Sequence, residues 1–288
     1  MTNNKKKLSM QLYRAVLDDK DALEVKQRKI KYLVRLGADI NDKDEKGDAY
    51  IMFGALNSRD FEVFKLLLDL GGDVNATSGG RALVFEAVLL EDVRFLRKIV
   101  ENGANLNRFY KYGLVSKTPL MQALALKNLE AVKILIEGGA DVNMTAGFRV
   151  SALGIVCNND DLKMARLLLE NGADVNKKGF LGKRALMDVK SVDMAKLLVE
   201  FGANVNAKDS FGNSVLLKHV MEEHPRVDVI EYLIDKGANV WTKNDMGKDC
   251  VSMCDEGLKD IILECWNRKY EDKKEVKKSF WKSLLGGR

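Results

Sequence analysis

The strongest candidates for chemistry in this 288-residue chain are two histidines and three cysteines near its C-terminal end. Cys250 and Cys254 are four apart, a spacing that places both on one face of a helix. Cys265 follows one helix length later. Thiolates at such spacings can hold zinc, but a zinc site usually takes four ligands from two such pairs. Here the second pair is missing and no histidine is near in sequence. Small apolar packing positions are the expectation, and a metal- or thiol-dependent enzyme at this end is the weaker alternative. His219 falls on an apolar helical run and His224 precedes Pro225 in a turn. A Ser-His-Asp or Cys-His arrangement would need a pocket and a buried orienting carboxylate. Both histidines are expected to be surface or packing residues. No catalytic, cofactor or metal site is expected, and the chain reads as a non-enzyme.

The elements that position everything else come from a five-residue stretch that recurs seven times. Gly37 to Asn41 read GADIN. GGDVN follows at Gly71, GANLN at Gly103, GADVN at Gly139 and Gly172, GANVN at Gly202 and GANVW at Gly237. The steps between these glycines are 34, 32, 36, 33, 30 and 35 residues. Apolar helical runs precede the copies: IKYLVRL before Gly37, FKLLLDL before Gly71, VKILIEG before Gly139 and ARLLLEN before Gly172. Glycine is where such a helix should stop, because it enters the left-handed conformation without a Cβ penalty. The Asp or Asn two residues later suits a turn.

A period near 33 marks an ankyrin array, and over residues 8 to 266 the chain resembles the ankyrin repeat family. One unit keeps the helix-opening pattern of that family closely: Thr118-Pro119-Leu120-Met121-Gln122-Ala123. Thr can cap the helix and Pro can occupy its first position. Ser151 and Ser214 are weaker copies that retain a capping hydroxyl. Ala49, Arg81 and Arg184 stand at the same position and cannot cap, at about 1 kcal/mol each. The resemblance implies an all-α, ankyrin-repeat solenoid of helix-turn-helix pairs joined by β-hairpin-like turns, in about eight units. Helix pairs after the first are expected at 48–70, 82–102, 118–138, 151–171, 184–201, 214–236 and 248–266. Leu114, Val115 and Ser116 look inserted into one turn, and the unit opening at Arg184 is short.

Three segments follow: a disordered basic N-terminus at 1–7, the array at 8–266 with capping units at both ends, and a basic tail at 267–288. The net charge of +5 sits in that tail, with eight Lys/Arg against three Asp/Glu, and residues 1–266 balance to zero. No nucleic acid is therefore expected on the array. The tail mixes Lys with Val276, Phe280, Trp281, Leu284 and Leu285. It reads as a solvated tail, a helix packed on the last unit, or an anchor to an anionic membrane. No run of about 18 uncharged apolar residues exists, so no transmembrane helix is expected. The N-terminus carries no apolar core of a secretory signal. Four irregularly spaced cysteines point to reduced thiols and a cytoplasmic setting.

In proteins of the resembled family the turns project as fingers, and partners bind across fingers and inner helices. Counted from the last residue of each copy, the tips here carry Phe109, Tyr110 and Tyr112, then Phe148 and Arg149, then Phe180, then Phe211. Such aromatics make an interface row, or each ring folds down onto the next unit as local packing. Gln122, Ala125, Leu126, Ile155 and Asn158 would line the same groove. Asp42, Asp44 and Glu45 make the first finger acidic. The expected function is a monomeric, non-catalytic module that presents an extended concave surface to a protein partner. A membrane-associated adaptor recruited through the tail is the alternative. The resemblance also allows scaffold, enzyme-inhibitor and secreted microbial effector roles.

Overall fold

The computed structural model describes residues 3–112 and 115–269. The chain forms two compact units, Met1–Gly147 and Phe148–Arg288.

In the first unit the helices are α1 (Asn3–Leu17), α2 (Leu23–Arg35), α3 (Tyr50–Asn57), α4 (Phe61–Asp69), α5 (Leu83–Ala87), α6 (Val93–Glu101), α7 (Pro119–Ala125) and α8 (Leu129–Glu137). They stack in two layers. The first helices of successive pairs pack α1 on α3, α3 on α5 and α5 on α7. The second helices pack α2 on α4, α4 on α6 and α6 on α8. Short strands β1 (Thr77–Ser78) and β2 (Arg81–Ala82) pair antiparallel, as do β3 (Tyr110–Tyr112) and β4 (Val115–Lys117). Val115 and Ser116, two of the three residues that look inserted, lie in β4 of this second hairpin. β5 (Thr145–Ala146) closes the unit.

The second unit begins with β6 (Val150–Ser151) and continues through α9 (Ala152–Asn158), α10 (Leu162–Glu170), α11 (Val192–Glu200), α12 (Val215–Val220), α13 (Val227–Asp235) and α14 (Cys250–Met253). A final helix, α15, spans 256–269. Where a helix should precede α11 there is only a 3₁₀ turn, Ala185–Met187. Few residues lie between Arg184 and the next cap at Ser191, enough for one turn. That turn packs against α9 and α12, while α10 packs on α11 and α11 on α13. Both units are thus stacks of helix-turn-helix pairs.

The five-residue copies do three jobs. The glycine ends the helix in the left-handed region, as at Gly37 with φ 98°. There the Gly37 and Ala38 N–H groups return to the Val34 and Leu33 carbonyls. The third residue, Asp or Asn, accepts from the N–H two residues on in every copy, from Asp39 to Asn239. The terminal Asn reaches the next repeat. Asn206 donates to Gly237 O at 3.0 Å and accepts from Asn239 N at 2.9 Å. Asn41, Asn107 and Asn176 make the same two bonds. The seventh copy ends in Trp241, which is half-exposed.

Capping follows residue type. Thr118, Ser151 and Ser214 each accept from the N–H three residues on, at 3.2, 3.0 and 3.1 Å. The helix ends at Ala49, Ala82 and Arg184 have no side-chain cap. After Arg81 the helix starts one residue late, at Leu83. Second helices carry their own caps at Asp60, Asp92, Asn128, Asp161 and Ser191. The cores are apolar: Phe64, Phe85, Phe95, Leu67 and Ile99 are fully buried in the first unit. Phe95 lies 5.2 Å from Phe64 and edge-on to Phe61 at 5.4 Å.

Both ends of the described chain are helical. Lys5 to Lys7 are helical, because α1 starts at Asn3. Lys5 is 3.0 Å from the Asp39 carboxylate, and the Ser9 hydroxyl accepts from Asp39 N, so the first copy holds this helix in place. At the other end α15 continues past Trp266. Lys269 Nζ donates to the Ile234 and Asp235 carbonyls at the end of α13. The rest of the expected tail, 270–288, lies outside the described residues.

Candidate partner-binding face

Three fingers share one construction. In Asp44–Asp48, Asp209–Asn213 and Asn244–Lys248 the first side chain accepts from the N–H groups two and four residues on. The fourth residue is Gly47, Gly212 or Gly247, each with positive φ. The local pattern is therefore Asp/Asn-x-x-Gly, and the third residue is pushed to the tip. That residue is Lys46 in the first unit, and Phe211 and Met246 in the second. A fourth finger, 177–184, has no such Asx turn but places Phe180 and Leu181 at its tip, with Leu181 itself at φ 52°.

In the second unit these fingers are bonded to one another through backbone. Ser210 N donates to Leu181 O at 2.9 Å, and Asp245 N donates to Phe211 O at 3.1 Å. Asn244 Nδ2 donates to Asn213 Oδ1 at 2.8 Å. Arg184, which cannot cap, instead donates to Lys208 O at 2.7 Å, and Lys208 Nζ donates to Lys243 O at 2.9 Å. The fingers touch so closely that a Cβ on Gly182 would lie 2.9 Å from Ser210 N. The outcome is a rigid edge that exposes Phe180 (51%), Leu181, Phe211 (50%) and Met246 (78%). Their backbone positions are already ordered, so a ligand would not have to order them.

The residues expected from sequence divide between the units. In the first, Phe109 and Leu126 are exposed. Tyr110 is not: it is 3% exposed and its ring sits 5.8 Å from Phe85. It occupies a strand position paired with Lys117 rather than a tip, and the pleat turns it inward. Burial pushes its hydroxyl pKa up, outweighing nearby Arg108. Gln122 is also buried, and accepts from Lys117 Nζ at 3.3 Å. Asp42 is withdrawn from the acidic finger: it is buried and accepts from the Tyr50 hydroxyl at 2.8 Å. Burial, then that hydrogen bond, raise the Tyr50 pKa. In the second unit Arg149 and Asn158 are exposed and Ile155 is half-buried. The Asn158 carbonyl accepts from Lys190 Nζ. The side chains of Tyr112 and Phe148 lie outside the described residues. Leu181 and Met246 were missed from sequence. Met246 was findable, since NDMGK aligns with DSFGN at 209–213; Leu181 was not, because its finger has a different turn.

Of the candidates for chemistry, His219, Cys250 and Cys265 are buried, Cys254 is partly buried and His224 is exposed. His219 is fully buried, with Nε2 2.9 Å from Leu186 O. It ties α12 to the 3₁₀ turn of the preceding repeat. Its Nδ1 lies 3.5 Å from Glu222 Oε1 without a hydrogen bond. Cys250 and Cys254 do not share a helix face, because α14 ends at Met253 and Cys254 is extended. Burial pushes the Cys157 and Cys250 thiols up to about 12, which suppresses the thiolate. Among the described residues no group of His, Cys, Asp and Glu could hold a metal ion, and no helix is long and apolar enough to cross a membrane.

A stack of helix pairs joined by projecting, mutually bonded turns defines a helical repeat protein. The family model for ankyrin repeats in three copies matches residues 84–179, 120–209 and 153–245, together more than half of the chain. The chain belongs to the ankyrin repeat family, whose domains are generally protein-binding modules and typically not enzymes. It is similar to an ankyrin repeat protein of fowlpox virus, 30% identical over 135 residues, covering 46% of this chain and 17% of the relative. It is also similar to one of Rickettsia felis, 25% identical over 135 residues, covering 38% and 35%. The chain thus spans only about a sixth to a third of the length of these relatives. Its fold is similar to the crystal structure of the human ASB11 ankyrin repeat domain, with a TM-score of 0.60 at 23% identity, covering 74% of this chain and 96% of that one.

Proposed function

We propose that this chain is a non-catalytic module that binds a protein partner through the finger edge of its second unit. The observation that carries this is the set of exposed apolar tips, Phe180, Leu181, Phe211 and Met246, on fingers held together by backbone hydrogen bonds. A turn needs no apolar residue at its tip, and rigid aromatic side chains are favoured anchors in interface cores. Arg149, Ile155 and Asn158 belong to the same unit and would extend the face towards the first helices. Phe109 and Leu126 would contribute a separate contact from the first unit. We place the module in a reducing compartment such as the cytoplasm, since all four cysteines are free.

The test is affinity capture with the full chain, the double variant Phe211→Ala/Met246→Ala, and a chain lacking 270–288. Loss of a captured protein in the double variant, with an unchanged melting temperature, is expected. Retention by the double variant would refute the finger edge. Loss only on removal of 270–288, together with binding to anionic vesicles, would favour the membrane-adaptor alternative.

A further inference from the structure

The finger turns of the second unit sort charge by sign. A carboxylate that opens or caps a turn must point at backbone N–H groups. Asp209 accepts from Phe211 N, Asn213 N and Asn213 Nδ2 and is buried, whereas Asp44, which opens the same turn in the first unit, is exposed. Asp249 is buried like Asp209, accepting from Ser252 N at the start of α14. The cations are not used this way. Among the described residues, Lys178, Lys208, Lys243 and Lys248 are exposed on or beside the three fingers of this unit, and Arg149 on the turn before them, against one exposed carboxylate, Asp245. Arg184 and Lys208 are held by carbonyl oxygens of the neighbouring finger. A carbonyl orients a cation without cancelling its charge. Lys183 is offset, by Asp188 at 3.1 Å. The zero net charge of residues 1–266 conceals this segregation, because most of the carboxylates that balance the count lie outside these fingers.

From this charge pattern we propose that the finger edge docks an acidic polypeptide segment whose carboxylates flank apolar side chains. The proposal rests on the reading of this edge as the partner-binding surface, and names the partner's chemistry. Exposed cations beside Phe180, Leu181, Phe211 and Met246 complement Asp or Glu placed on either side of a Leu, Met or aromatic residue. The cations steer the segment and set its register, while the tips supply the desolvated contact. A single-stranded nucleic acid fits less well. It would need successive planar side chains for base stacking, and Leu181 and Met246 interrupt them with aliphatic ones.

The experiment is a selection of random peptides displayed on phage against the full chain, with Phe211→Ala/Met246→Ala as the counter-target. The expected winners carry net negative charge and at least one large apolar residue. Their affinity should fall about tenfold in Lys178→Glu/Lys243→Glu/Lys248→Glu. It should also fall about tenfold for the unaltered chain between about 50 and about 300 mM salt, so the test survives if the triple variant does not fold. Neutral or basic winners that are still lost on the counter-target would overturn the acidic-segment proposal and leave the binding edge standing. Winners that bind the counter-target equally well would overturn both. Tighter, charge-dependent binding of a single-stranded oligonucleotide or of anionic vesicles than of any acidic peptide would overturn the proposal in favour of a different polyanion.

Discussion

The fingers Asp44–Asp48 and Asp209–Asn213 are built alike and present opposite chemistry. Each is closed by a carboxylate accepting two N–H groups and by a glycine at positive φ. One lifts Lys46 to its tip and the other Phe211. Their surroundings differ too. Gly47 has open space around a would-be Cβ, whereas Gly212 has the backbone N of Asp245 at 2.9 Å. The turn chemistry is thus independent of what the tip carries and of what lies beside it. An aromatic residue in a finger is likewise no guide to its role. Tyr110, on a longer hairpin, is core, and Phe211, on a short Asx turn, is surface.

The largest effect should come from the buried ring. Tyr110→Ala is expected to destabilise the first unit by about 3 kcal/mol or more, the cost of emptying a buried aromatic site. Urea unfolding followed by circular dichroism measures it, and a loss near that of a surface substitution would erase the distinction between the two rings. The paired glycines come next. Gly47→Ala should cost about 1 kcal/mol for the left-handed backbone alone. Gly212→Ala should cost about 2–3 kcal/mol, because overpacking against the next finger is added. Equal losses would mean that finger-to-finger contact contributes nothing.

A smaller effect tests the bonds between repeats. Asn206→Ala removes two hydrogen bonds to the next copy and should cost about 1–2 kcal/mol. Trp241→Asn, at the same position of the last copy, should be nearly neutral in the same unfolding measurement. The smallest stability change is expected at Phe211→Ala, within about 0.5 kcal/mol. The same substitution should weaken partner binding by about 1–2 kcal/mol or more, read by calorimetric titration. A stability loss as large as that of Tyr110→Ala would make Phe211 a core residue and remove it from the binding edge.

Much of the fold could be read from local rules. The glycine-led copies set the repeat period, since each glycine must end a helix and each Asp or Asn must close the following turn. Thr118, Ser151 and Ser214 announced their caps, and Ala49 and Arg184 announced the lack of one. Those outcomes depend on a residue and its neighbours within a few positions, where hydrogen-bond geometry is decided. Burial of Tyr110 depends on the face offered by Phe85 in the preceding repeat and on the pleat of an elongated hairpin. Burial of Gln122 and Asp42 depends likewise on partners that only folding supplies. The inward turn of Asp209 and Asp249, and with it the cationic edge around Phe211 and Met246, was hidden in a balanced residue count. A count gives every charge equal weight, whereas at this edge the fold turns Asp209 and Asp249 onto backbone N–H groups and leaves Lys178, Lys243 and Lys248 exposed.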